Sequence, residues 1–206
     1  MIAIIDYGVG NLFSLKSSFD KIGQETIVTG NPDEIKKADK IILPGVGAFE
    51  DAAKKLRESG LFNLVIEEAR SGKPLLGICL GMQLLFDKSF EYGEHEGLGL
   101  IPGEIRSIGE VIPKDYKIPH IGWNALNIKK DCKLFKYIKD GDFVYFVHSF
   151  YGANCTESTV ATSEYGVPLT AAVAKGSIYG CQFHPEKSGE VGLNILRAFC
   201  ESEDQI

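Results

Sequence analysis

The stretch GICLGMQ, residues 77–83, follows the apolar residues Leu75 and Leu76 and sets one cysteine between two glycines. A short apolar run leading into Gly-x-Cys-x-Gly reads as the end of a buried parallel strand and the sharp turn into a following helix. Such a turn strains the backbone of its central residue, and small residues two positions before and after it give the chain room. Gly77 and Gly81 stand at those positions. Cys79 is thereby placed at the carboxyl end of a strand, facing the crevice where open α/β sheets bind ligands, with the positive end of a helix directed at it. Both conditions favour the thiolate, which is the reactive form of cysteine. A cysteine outside such a setting is most often a small buried hydrophobe, and Cys132, Cys155, Cys181 and Cys200 are read that way.

Working outward, the first 90 residues alternate short β-branched runs with helical patterns, the signature of a parallel sheet covered by helices. IAIID (2–6) reads as a strand; Leu12, Leu15, Phe19 and Ile22 then recur at helical spacing behind the capping residue Asn11. ETIV (25–28) is a second strand, followed by a helix in which Asn31 caps, Pro32 fits the first turn, and Asp33 and Glu34 suit its positive end. KIIL (40–43) is a third strand, residues 48–70 form two helical pieces broken near Gly60, and LLGIC (75–79) is a fourth strand. Beyond residue 95, Gly and Pro turns separate short strands such as FVYFVHSF (143–150), VPLTAAVA (167–174) and SIYGCQFH (177–184), before a helix over 191–200 and a tail, ESEDQI (201–206). The expected architecture is a doubly wound, flavodoxin-like α/β fold. It has one mixed sheet and one core, parallel in the first half and antiparallel in the second, with helices on both faces and residues 1–206 in a single domain.

Composition narrows the functional classes. With 206 residues, 44% of them hydrophobic, the chain can bury a substantial core. Its 28 acidic against 22 basic residues give a net charge of −6, which disfavours a phosphate-backbone partner such as nucleic acid. The longest nearly apolar run, 75–86, is shorter than the ~18 residues that suggest a membrane span, and the opening MIAIIDYG does not resemble a signal peptide. A cytoplasmic protein without a membrane role is expected. Five irregularly spaced cysteines with no C-x-x-C suggest neither a disulfide framework nor a zinc site.

A cysteine nucleophile needs a base and a site for the oxyanion. QFHPE (182–186) offers the base: in an extended segment His184 and Glu186 point to the same side, and Pro185 between them favours that conformation. The carboxylate would fix the imidazole tautomer while the ring moves the proton. PGVG (44–47) follows the third strand with little side-chain bulk over its amides, and the amide of Leu80 is the second oxyanion candidate.

Together and in this order, PGVGAF, GICLGMQLL and QFHPEKSG resemble the class I, triad-type glutamine amidotransferases. Within that class IDYGVGNL (5–12), GLGLIPG (97–103), PHIGWN (119–124) and YFVHSFY (145–151) are similar to glutaminase subunits of imidazole glycerol phosphate synthases, so the likeness covers essentially the whole chain. The resemblance implies hydrolysis of L-glutamine to glutamate and ammonia without metal or organic cofactor, with Cys79 as nucleophile, His184 as base and acid, and Glu186 as its orienter. It implies an oxyanion site at Leu80 and at Gly45, Val46 and Gly47, and a hold on the substrate's amino-acid end by Gln83, His148, Ser149 and Phe150. It further implies a heterodimer with a (β/α)8-barrel cyclase subunit that consumes the ammonia in histidine biosynthesis, with Asn11, Tyr145 and Lys187 at or near the subunit interface. The PGVG turn is then expected to rest with an amide turned away until the partner resets it. Three alternatives stand beside this reading. One is a subunit serving another ammonia acceptor, and another a cysteine hydrolase acting on peptides. The third is a nucleotide-binding module, although YGVGN (7–11) lacks a third glycine where Ser14 stands.

Overall fold

Ile2 and Ile4 face one side of strand β1 (Ile2–Ile5), Ala3 and Ile5 face the other, and all four are buried. A strand with no polar face has to be covered on both sides. In the computed structural model, which describes residues 1–202, that cover is provided by helices of the first half and by the last one. On one face lie α2 (Pro32–Lys37), α3 (Phe49–Glu58) and α4 (Leu61–Arg70), which bury Ile35, Leu56, Leu61 and Val65 against Ala3, Ile5, Ile41 and Leu43. On the other, α1 (Leu12–Lys21) and α6 (Gly189–Cys200) bury Leu15, Phe19, Ile195, Leu196 and Phe199 against Ile2, Ile4, Ile42 and Leu76. Asn11 caps α1 by accepting from the Ser14 amide at 3.3 Å, and Asn31 caps α2 by accepting from Asp33 at 2.9 Å. These are the caps the sequence predicts.

The central sheet has nine strands. Parallel β2 (Thr26–Thr29), β1, β3 (Lys40–Leu43), β4 (Leu75–Ile78) and β13 (Ile178–Cys181) adjoin in that order, and β12 (Pro168–Lys175), β11 (Thr159–Glu164), β8 (His120–Ile128) and β9 (Phe143–His148) continue it in antiparallel sense. Strand β13 joins the two parts of the sheet: it pairs antiparallel with β12 and parallel with β4, with Cys181 opposite Ile78. The segment carrying QFHPE is delivered to the same sheet end as Cys79.

The expectation of one sheet and one core is corrected. A second sheet of four strands, β10 (Phe150–Ala153), β7 (Ile101–Ser107), β5 (Phe86–Ser89) and β6 (His95–Glu96), follows the short helix α5 (Leu80–Leu84), and the main sheet separates two large apolar layers. Strand β7 contains Pro102 and Gly103, residues that read as a turn. A Cβ on Gly103 would lie 2.7 Å from the Ala153 carbonyl, so the glycine is there to let β10 approach. The tail expectation is corrected at its start. Ser202 is buried, with its hydroxyl donating to the Phe199 carbonyl, and Lys136 Nζ donates to the Glu201 carboxylate at 2.6 Å. Residues 203–206 of the expected tail lie outside the described residues. Among the described residues no helix is long and apolar enough to cross a membrane.

The turn after β4 is packed glycine against backbone. A Cβ on Gly81 would lie 1.9 Å from the Leu43 carbonyl oxygen, and one on Gly77 would lie 2.7 Å from the Gly81 oxygen. Gly81→Ala must therefore part β3 from the turn, and a loss of about 3 kcal/mol or more is expected in chemical denaturation. Gly23→Ala, where φ is +74° and the space is open, should cost only about 1–2 kcal/mol.

Candidate active site

Cys79 adopts φ 54° and ψ −111°, a positive φ that a non-glycine residue holds only when its surroundings impose it. The imposing contacts are local. The Cys79 amide donates to the Cys181 carbonyl at 2.8 Å, tying the turn to β13, and the glycines on either side let it pack against β3. The result directs the side chain into a cavity of about 350 Å³, where Cys79, Gln83, His148, Phe150 and His184 meet. A larger hollow of about 670 Å³ lies between α3, α4 and the small sheet, lined by Arg57, Phe62 and Arg70 among others, and none of the candidate site residues reaches it.

His184 leaves the end of β13 with its amide donating to the Tyr145 carbonyl at 2.9 Å. Its Nδ1 lies 2.8 Å from Glu186 Oε1, and the two side chains are only 4% and 2% exposed. Burial alone would lower the pKa of this imidazole. Hydrogen bonds with Cys79 and Glu186, reinforced by their negative charges, outweigh burial and raise it to about 9. At neutral pH the ring is an imidazolium between a sulfur and a carboxylate. Cys79 is thus brought beside the His184–Glu186 pair, more than 100 residues further along the chain.

The oxyanion candidates are also at the cavity, in a particular arrangement. Val46, Gly47 and Leu80 line it, with Gly45 just behind. The Leu80 amide is engaged, donating to the Gly45 carbonyl at 3.3 Å. A donor expected to face substrate faces the turn instead.

The residues proposed to hold the substrate line the cavity, but two of their side chains already have protein partners. Gln83 Nε2 donates to the Phe150 carbonyl at 3.3 Å and to Gln182 Oε1 at 3.1 Å. His148 Nδ1 pairs with the Phe150 carbonyl at 2.8 Å and its Nε2 with His120 Nδ1 at 3.0 Å. Burial, aided by the neighbouring His120 and His184, depresses the His148 pKa to about 4 although the Phe150 carbonyl favours the charged ring, so this ring is neutral. Its Nδ1–H then donates to the Phe150 carbonyl. What residues 148–150 offer a ligand is chiefly backbone. Asn11, Tyr145 and Lys187 do not line the cavity: Asn11 caps α1, and the Lys187 ammonium sits 5.9 Å from the Tyr145 ring centre.

Two residues were missed in the sequence. Gln182 is fully buried and donates through Nε2 toward Cys79 Sγ at 3.8 Å. Its position two residues before His184 in an extended segment is the signal that could have found it. Glu91 faces the cavity with its carboxylate accepting from the Phe49 amide at 2.8 Å, and burial raises its pKa against the pull of that amide. Nothing local in FEYGE marks Glu91, because its place depends on the second sheet. The YGVGN loop offers no open phosphate cradle: a Cβ on Gly10 would lie 2.9 Å from Pro44 Cβ.

The His184 shift has a definite sign. Its pKa is about 9 in the folded protein against about 6.5 for an unfolded histidine, so its stabilising protonation is complete below pH 6.5 and lost as pH rises through 9. Glu186→Gln removes the carboxylate partner. The imidazole titration followed by NMR should move down by about one unit or more, and the decline of stability between pH 6.5 and 9 should flatten.

Comparison with known proteins agrees with this geometry. The description Glutamine amidotransferase class-I matches residues 3–202. The chain is 50% identical over 202 residues to the imidazole glycerol phosphate synthase subunit HisH of Caldanaerobacter subterraneus subsp. tengcongensis, covering 98% of each. It is 51% identical over 203 residues to the subunit of the same name from Oceanobacillus iheyensis, again covering 98% of each. Among solved structures it resembles PurLQS from Thermotoga maritima, with a TM-score of 0.76 at 20% identity over 97% of this chain and 96% of that one, a likeness of fold. Cysteine elbow, histidine and carboxylate on this sheet, with a match running almost from end to end, place the chain in the class-I glutamine amidotransferase family.

Proposed function

We propose that the chain, residues 1–206 acting as one unit, hydrolyses L-glutamine to glutamate and ammonia and passes the ammonia to a (β/α)8-barrel cyclase subunit of imidazole glycerol phosphate synthase. The observation that carries the reading is the meeting of the strained Cys79 with the buried His184–Glu186 pair at the joined ends of β4 and β13. Cys79 Sγ attacks the side-chain carboxamide carbon, and the electron pair of the C=O bond moves to oxygen. His184, already protonated, gives its proton to the departing nitrogen as the C–N bond breaks, which leaves ammonia and a glutamyl thioester. Water then loses a proton to His184 and attacks the thioester carbon, and C–S cleavage restores thiolate and imidazolium. The Glu91 carboxylate and the amide oxygen of Gln83 are suited to the substrate's α-ammonium, with the backbone of residues 148–150 lining the same cavity.

The turn at 45–47 supports a gated version of this chemistry. Rotation of the Gly45–Val46 peptide would take the Gly45 carbonyl off the Leu80 amide and turn the Val46 N–H toward the same point. Two oxyanion donors would thus appear in one motion. Each is worth about 10²–10³ in rate.

A partner surface is supported at the sheet edge. On β8 and β9 the register sets Ile121, Trp123, Phe143 and Tyr145 on one face, and the first three are 59%, 52% and 55% exposed. An apolar face on an edge strand beside the cavity suits a protein that covers it. Tyr145 and Lys187 adjoin that face, and Asn11 is assigned to the interface with them. The relatives at 50% and 51% identity are named as subunits of imidazole glycerol phosphate synthase, which supports the cyclase as the acceptor.

The test is glutamate release from glutamine by the chain alone and with the cyclase subunit. Release should rise by about 10²–10³ or more in the complex and vanish in Cys79→Ala. No release under either condition would remove the assignment.

A further inference from the structure

Tyr7, in the loop between β1 and α1, has no part in the chemistry above. Its ring is buried, and its hydroxyl donates to the Pro44 carbonyl at 2.7 Å. That carbonyl belongs to the peptide immediately ahead of Gly45. From the other side Gly10, at φ +117°, comes so close to Pro44 that a Cβ would lie 2.9 Å from the proline ring. Proline's own ring fixes its φ. Pro44 is therefore held in torsion by its ring, at its carbonyl by Tyr7 and at its flank by Gly10. Among the described residues, the next carbonyl, that of Gly45, accepts only from the Leu80 amide, at the longer distance of 3.3 Å.

We propose that Tyr7 is a positioning residue for the oxyanion site, its hydroxyl making Pro44 the fixed pivot about which the Gly45–Val46 peptide turns. The inference rests on the gated reading of that turn. With the pivot held, the turn has two well-defined settings, one with the Gly45 carbonyl on the Leu80 amide and one with both amides facing substrate. Without the hydroxyl the Pro44–Gly45 peptide can rotate as well. The resting setting then leaks and the active one is reached less often, and each change lowers the ratio of stimulated to unstimulated turnover.

The experiment compares wild type and Tyr7→Phe for glutamate release, as the isolated chain and in the complex with the cyclase subunit and imidazole glycerol phosphate. The ratio of the two rates should fall roughly tenfold in the variant, with the KM for glutamine within about twofold of wild type. A hydroxyl that serves stability alone would lower the thermal midpoint and both rates together, so an unchanged ratio overturns the proposal. If Tyr7→Phe does not fold, Gly10→Ala, which crowds Pro44 from the opposite side, should lower the ratio likewise, and an unchanged ratio there overturns it too. Wild-type protein that ignores the cyclase would instead remove the gated reading, and the role of Tyr7 with it.

Discussion

The parallel pairing of β13 with β4 is the constraint on which the rest of the structure depends. It sets the Cys181 carbonyl where the Cys79 amide can donate to it at 2.8 Å, and so helps hold the nucleophile in a backbone conformation it would not adopt alone. The same pairing carries the chain past Gln182 to His184, which puts an amide donor and an imidazole beside one sulfur. Had β13 paired antiparallel with β4, as it does with β12, its carboxyl end would lie at the opposite end of the strands. Nucleophile and base would then lie at opposite ends of the fold.

Electrostatics at the site follows from burial and partners acting in opposite senses. His184 and His148 are both buried near the same cavity, yet one is raised to about 9 and the other depressed to about 4. The difference is the company each keeps: a carboxylate and a sulfur for His184, a carbonyl and another imidazole for His148. One ring is kept charged and the other neutral, as part of the cavity wall.

Much of this was legible in the sequence where the cause is local. The elbow follows from glycines at fixed offsets around Cys79, the His184–Glu186 pair from period-two geometry, and the helix starts from Asn11 and Asn31. What was not legible is what depends on pairing across long sequence distances. The second sheet is hidden because β7 contains Pro102 and Gly103, which look like a turn until β10 is laid against them. Glu91 lacks a local mark for the same reason, and the parallel sense of β13 toward β4 is a property of its neighbour. The engagement of the Leu80 amide by Gly45 is a matter of which way one peptide points, and composition carries no trace of that.

The Phe150 carbonyl accepts from both Gln83 and His148, so both of its lone pairs are taken by side chains in the wall of the cavity. Displacing that carbonyl would strand two donors in a buried place, which makes this part of the cavity stiff, whereas the Gly45 carbonyl of the turn is held by one longer hydrogen bond, at 3.3 Å from the Leu80 amide. Recognition and turnover would accordingly be divided between a rigid wall and a yielding one. On the gated reading proposed above, a subunit of this design would be loaded with glutamine while it waits, and the arrival of the acceptor's signal would set the moment of cleavage rather than the moment of capture.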